Sequence, residues 1–243
     1  MSSILSSGRV LPHEMIFPVT EVAGSDIDDD HEWVEVLAWA SGLVSPDPAE
    51  RAAALDRHAR ARMEVEAAYD RLNEGHFRRL WFGPRMRAYH RACGRCFPGA
   101  LWSGSGYAYG EISTWPRLPL ALLFLEWEAR HPQEWTEHAK AWGTKQALIR
   151  DLAATDHDRY LRAKLVDLVD LAVQRTYRCK DREYVRVARA VDGDELRDRL
   201  HRAQRSENPA ARLHAGYVLL LLDRPEIPNT RHVWRTWLSG TLT

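Results

Sequence analysis

One helix opening occurs twice in this chain, and it constrains the fold more than any other feature. Ser45-Pro46-Asp47-Pro48-Ala49-Glu50-Arg51 and Ser206-Glu207-Asn208-Pro209-Ala210-Ala211-Arg212 share Ser, Asp or Asn, Pro, Ala and Arg in register. A short Asp or Asn side chain accepts from the first free N–H groups of a helix, and a proline just inside the start has no N–H to lose. A fainter copy runs from Asp158 to Ala163, with Arg162 and Ala163 in the matching places. The segments between carry apolar residues three and four apart, the spacing of one helix face. Trp33, Val34, Leu37 and Ala38 form such a face before Gly42 stops it, and the helix opened at Pro48 should run to about Asn73. Leu120 to Arg130 reads as a buried helix. Leu161, Leu165, Leu168, Val169 and Ala172 form one further face, Tyr184, Val187, Ala188 and Val191 the next, and Leu196 and Leu200 a third. A last pair should begin at Asn208-Pro209 and Asn229-Thr230. The fold class predicted is all-α, built of antiparallel helix pairs.

The helix pairs from residue 145 onward, with the capped Asn-Pro-Ala-x-Arg opening, resemble HEAT-like helical repeats over roughly residues 145 to 238. That resemblance implies helix pairs stacked into a curved solenoid that binds rather than catalyses. An irregular helical bundle fits the same periodicity. The organisation expected is an acidic, partly disordered arm over residues 1–30 and N-terminal helices with a basic segment over 31–97. A Gly/aromatic connector, a loop or short hairpin, follows over 98–119, and a C-terminal helical stack over 120–243, with 31–243 one compact unit. The hairpin option rests on glycines that break helices, alternating with Trp102, Tyr107, Tyr109 and Trp115.

Composition removes several function classes. Lys and Arg total 34 against 34 Asp and Glu, so the chain is not coated in positive charge as a dedicated nucleic-acid binder is. Three cysteines do not make a disulfide scaffold, and a reducing compartment follows. Met1 to Arg9 is Ser-rich with no unbroken apolar stretch after it, and no secretory signal is read there. Leu118 to Leu125, the longest apolar run, is far short of the ~20 residues that span a bilayer. No membrane association and a cytoplasmic location are expected.

The neutral total conceals an uneven map. Between Arg9 and Arg51 the chain has no Lys or Arg but ten acids: Glu14, Glu21, Asp26, Asp28, Asp29, Asp30, Glu32, Glu35, Asp47 and Glu50. Between Glu74 and Glu111 it has no acid but carries Arg78, Arg79, Arg85, Arg87, Arg91 and Arg95, interleaved with aromatic residues. Guanidinium forks hold carboxylate or phosphate in two-point geometry, and aromatic faces stack on bases or guanidinium groups. These six arginines, with Trp102, Tyr107, Tyr109 and Trp115, are the candidate anion- or partner-binding residues. They would equally serve as the solvated face of a helix whose aromatics are core. The acidic arm would either complete the fold against the basic segment or mask an anion site.

Two metal readings arise from spacing. His90, Cys93 and Cys96 form His-x-x-Cys-x-x-Cys, which would share one helix face, and Cys179 would complete tetrahedral zinc. Without a second Cys-x-x-Cys, ordinary half-buried thiols are the plainer reading, and no cofactor is predicted. Glu128 and His131 form Glu-x-x-His, and Asp198 and His201 its aspartate analogue, an element used by di-iron bundles. Pro132 instead marks a helix end at His131, where a histidine caps. The function expected is an intracellular binding or scaffold module, leaning away from an enzyme, that recognises a protein partner or anionic ligand through the Arg/aromatic surface. The alternative is an enzyme on a helical-repeat scaffold. Through the HEAT-like resemblance it would be similar to the alkylpurine DNA glycosylases, with nucleic acid as partner, although no catalytic residue carries over. Less favoured is a metal-dependent oxygenase on Glu128 and His131.

Overall fold

The computed structural model describes residues 29–73, 78–103, 106–108 and 110–241. The expected acidic arm therefore lies, up to residue 28, outside the described residues. Within them every element is helical: eleven α-helices and four short 3-10 turns, with no strand. The chain is all-α, as its periodicity predicts.

Helix α1 (Asp29–Ala40) passes through a 3-10 turn into α2 (Pro48–Asn73). The sequence-predicted cap operates there: Ala49 N donates to Asp47 Oδ1 at 2.9 Å, and Asp47 N donates to Ser45 Oγ at 3.1 Å. The buried positions of α2 are Ala54, His58, Ala61 and Ala68, a narrow seam of mostly small side chains. A long helix with so thin an apolar stripe is held along one edge and leaves most of its surface in water. α3 (Arg78–Arg95) packs along it, and α1 packs on α3 in turn.

The connector follows, and its glycines have a local cause. A Cβ at Gly99 would lie 2.6 Å from the Cys93 carbonyl oxygen, so only glycine lets the chain turn this tightly against the end of α3. The hairpin option is corrected. The described part of 98–119 consists of 3-10 turns at Gly99–Leu101 and Ile112–Thr114. Its aromatic rings pack on one another instead of alternating across strands. Trp102 stacks on Trp115 at 6.2 Å and Tyr107 meets Trp115 at 4.8 Å. Buried Arg117 pins the turn by donating to Ala100 O at 3.3 Å and Ser103 Oγ at 3.2 Å.

Eight helices complete the chain: α4 (Leu118–Arg130), α5 (Pro132–His138), α6 (Trp142–Ala154), α7 (Arg159–Gln174), α8 (Tyr184–Ala190), α9 (Asp194–Gln204), α10 (Pro209–Asp223) and α11 (Arg231–Leu238). Their starts follow the sequence signals: Asp158 accepts from Leu161 N, Asn208 from Ala210 N and Ala211 N, and Thr230 from Val233 N. α4 is buried almost all round, from Leu120 to Leu125 and again from Trp127 to Ala129, the signature of a helix with neighbours on every side. α4 packs on α7, and α7 on α10. The buried apolar residues form one cluster running from Val36 to Leu222. No helix among the described residues is long and apolar enough to cross a membrane.

Candidate partner-binding groove and a buried charge cluster

The basic segment is a single helix, α3, lying against the alanine-rich edge of α2. Because the facing residues are small, the two helices leave an open groove of about 280 Å³. Ala67, Ala68, Ala88 and Ala92 line it together with Arg71, Arg91 and Arg95, and Glu64 is the lone acid in the lining. Arg71, Arg91 and Arg95 are exposed, so their charges face water. Arg95 has a partner from the acidic stretch: its Nε and Nη2 donate to Glu32 Oε1 on α1 at 3.0 and 2.7 Å.

The remaining predicted contact residues divide. Arg87 is exposed on α3 outside the groove and Arg85 is half-buried. The side chains of Arg78 and Arg79, and all of Tyr109, lie outside the described residues. Trp102 is 49% exposed, and the packing of Ser103 against Gly94 brings the connector to the Arg95 end of α3. Trp115 is corrected to a core residue, 5% exposed beneath the Trp102 and Tyr107 rings. Tyr107 is half-buried, and its hydroxyl donates to Asp151 Oδ2 at 2.7 Å, tying the connector to α6. The groove thus gathers Arg91, Arg95 and the unpredicted Arg71, with Trp102 near one end.

The zinc reading gains no support. Among the described residues no group of three or more His, Cys, Asp or Glu side chains is placed to hold a metal ion. Cys93 is half-buried, Cys96 buried and Cys179 exposed. Burial pushes the Cys93 thiol up, and burial together with the Cys93 neighbour pushes Cys96 to about 12, so both stay protonated at neutral pH. His90 is exposed on α3.

Glu128 is engaged in a way its spacing to His131 does not suggest. It is fully buried, and so is Lys145 on α6. Lys145 Nζ lies 2.9 Å from Glu128 Oε2 and 2.6 Å from Asp181 Oδ1, and donates to Cys179 O at 3.2 Å. Arg175, at the end of α7, donates to Glu128 Oε2 at 2.8 Å and to Asp181 Oδ2 at 2.7 Å. Arg178 Nε stands 3.4 Å from Glu128 Oε1, and Arg178 N donates to Asp181 Oδ2 at 2.6 Å. Burial pulls the Arg175 pKa down, but Asp181 and Glu128 outweigh it and hold that guanidinium above its usual value. Burial, and then the Glu128 charge, push the Tyr184 hydroxyl well up. The metal reading of Glu128 and His131 is therefore corrected: the carboxylate is committed to three cations, while His131 closes α4, its backbone N–H donating to Trp127 O. Asp198 and His201 are both exposed on α9.

This cluster joins α4, α6, the end of α7 and the loop before α8, and its charges are paired with one another, while Glu128 Oε1, Arg175 Nε and the Tyr184 hydroxyl have no hydrogen-bond partner among the described residues. Its signal in the sequence was Lys145 itself, which continues the apolar stripe of Leu148, Ile149 and Leu152 at three, four and seven residues. A lysine inside such a stripe is buried and must find counter-charges. No protein-family model, curated protein or solved structure matches this chain.

Proposed function

We propose that this protein is a binding module whose α2–α3 groove receives an acidic segment of a partner protein. The observation that carries the reading is the groove itself: four alanines that line it together with Arg71, Arg91 and Arg95. The alanines suit small apolar side chains, and the arginines suit carboxylates gripped in two-point geometry. The exposed ring of Trp102 extends the surface at the Arg95 end. A peptide fits better than a nucleic-acid strand, because α3 presents its cations beside alanines and no aromatic residue lines the groove among the described residues. The successive packing of α4, α7 and α10 supports a HEAT-like stack as the rigid support behind this face. The three free cysteines fit an intracellular setting.

The reading is tested by titrating a short peptide of alternating Glu and Ala, and a single-stranded DNA of equal length, against the native chain and a chain carrying Arg91→Ser and Arg95→Ser. The peptide should bind with an affinity that falls as salt rises, and the double substitution should weaken it about tenfold or more, ~1.4 kcal/mol. DNA binding tighter than peptide binding, or peptide binding indifferent to the two arginines, contradicts the proposal.

A further inference from the structure

Three features besides the groove invite a function: the Glu128 cluster, the Cys93 and Cys96 pair, and the contact between Glu32 and the groove. In the first the charges are paired with one another, and the second holds protonated, part-buried thiols. The third carries further. Arg95, which lines the groove, already holds a carboxylate from the chain's own acidic stretch, both donated bonds falling on a single oxygen of Glu32.

That carboxylate does not stand alone in sequence. Asp26, Asp28, Asp29 and Asp30 precede Glu32, with no Lys or Arg between Arg9 and Arg51 to balance them. α1 begins at Asp29, so backbone positions 29 and 30 lie within about 4.5 Å of Glu32 along the helix axis. Asp28 and Asp26 follow at one and three residues before the helix, a reach of at most ~10 Å. Arg91 lies four residues, about 6 Å, along α3 from Arg95. The acidic run and the basic residues of the groove thus start from a shared contact and carry opposite charge.

We propose that the segment Asp26 to Glu32 is an intramolecular competitor for the Arg91 and Arg95 end of the groove, so that a partner's acidic segment binds by displacing it. The inference rests on the reading of the groove as a carboxylate acceptor, and adds that the chain supplies the first occupant. The observed contact is suited to exchange. The Arg95 side chain is 57% exposed, and exposed ion pairs are weak and salt-screened, so an incoming segment with more carboxylates replaces Glu32 at little cost. Competition of this kind lowers apparent affinity by the fraction of chains in which the groove is open.

The test uses the full chain in two forms, native and with Asp26→Asn, Asp28→Asn, Asp29→Asn, Asp30→Asn and Glu32→Gln, each titrated with a labelled peptide of residues 24–33. The neutralised chain should bind the peptide at least about tenfold more tightly than the native chain at low salt, the advantage shrinking as salt rises. Adding Arg91→Ser and Arg95→Ser to the neutralised chain should remove the gain. Glu32→Gln alone should give a smaller gain in the same direction, which keeps the test decisive if the fivefold variant folds poorly. Equal affinity of native and neutralised chains, with binding still dependent on the two arginines, overturns the competitor and leaves the groove reading standing. Binding by neither chain, or binding indifferent to the arginines, removes the groove reading and the competitor with it.

Discussion

Two regions of this molecule are built from the same kinds of charge and put them to opposite use. Around Glu128, three cations and two carboxylates are gathered together, Glu128 and Lys145 fully buried and the rest partly, and every charge faces an opposite one at hydrogen-bonding or ion-pair distance. Along α3, arginines stand in water beside alanines, and the contact identified at Arg95 is a single carboxylate oxygen. The difference lies in desolvation. A charge removed from water must be matched by its neighbours at the moment of folding, so a buried cluster is fixed in place and carries stability. A charge left in water contributes little to folding and keeps its capacity for a partner. Burial, more than residue type, separates the structural charges from the available ones.

The comparison breaks first at Lys145. Its replacement by Ala leaves Glu128 and Asp181 buried beside an empty place, and loss of one partner from a buried ion group costs about 3–5 kcal/mol. Thermal unfolding should show a fall on the order of 10 °C. A change of only a degree or two would mean that water reaches the cluster and that its charges resemble those on α3.

A second test concerns a titratable group buried without a counter-charge. His58 is fully buried among Trp39, Trp127 and His138. Burial, and then the neighbouring His138, lower its pKa from 6.5 to about 4. The unfolded chain therefore takes up the proton first as pH falls. The associated stability is fully present above pH 6.5 and is lost as pH drops toward 4, by up to about 3 kcal/mol. Burial lowers His214 as well, in the same direction. Denaturant unfolding from pH 7 to 5 should show this decline, and His58→Phe should flatten it. A decline of unchanged slope in that variant assigns it to other groups.

The smallest effect sharpens the geometry of the cluster. Lys180 has φ of 70°, left-handed backbone that turns the Cys179 carbonyl and the Asp181 carboxylate toward Lys145. A side chain held there costs ~1–2 kcal/mol, part of which glycine recovers, so Lys180→Gly should raise stability by up to about 1 kcal/mol. Destabilisation instead would show that the Lys180 side chain itself supports the loop.

What was legible in the sequence follows the reach of its signals. The bounds of α2 at Pro48 and Asn73, and the start of α10 at Pro209, were readable because caps and prolines act within a turn of where they stand. The basic segment was readable as charge placement, and within the described residues it meets the acidic stretch at one pair, Arg95 and Glu32. The groove was not, because it depends on alanines of α2 meeting alanines of α3, and Arg71 enters only through that packing. Trp115 was misplaced because glycine and aromatic residues in alternation fit a strand pair as well as a knot of stacked rings, and tertiary contacts decide between them. Glu128 was given a metal reading and Lys145 was passed over for a simpler reason. Charged residues on helices are usually at the surface, yet both continue apolar stripes, and that position outweighs residue type.

Exposed and buried charges in this molecule have separable roles, and one paired measurement tests that separation. Two full-length variants, Arg91→Ser with Arg95→Ser and Glu128→Gln, are measured against the native chain both for melting temperature and for affinity toward the Glu/Ala peptide, the latter at a temperature where all three are folded. The account predicts a crossed pattern. The arginine variant loses about tenfold in affinity with stability changed by no more than ~1 kcal/mol, and the Glu128 variant melts well below the native chain with its affinity intact. An arginine variant that binds as well as the native chain, or that melts as low as the Glu128 variant, contradicts it.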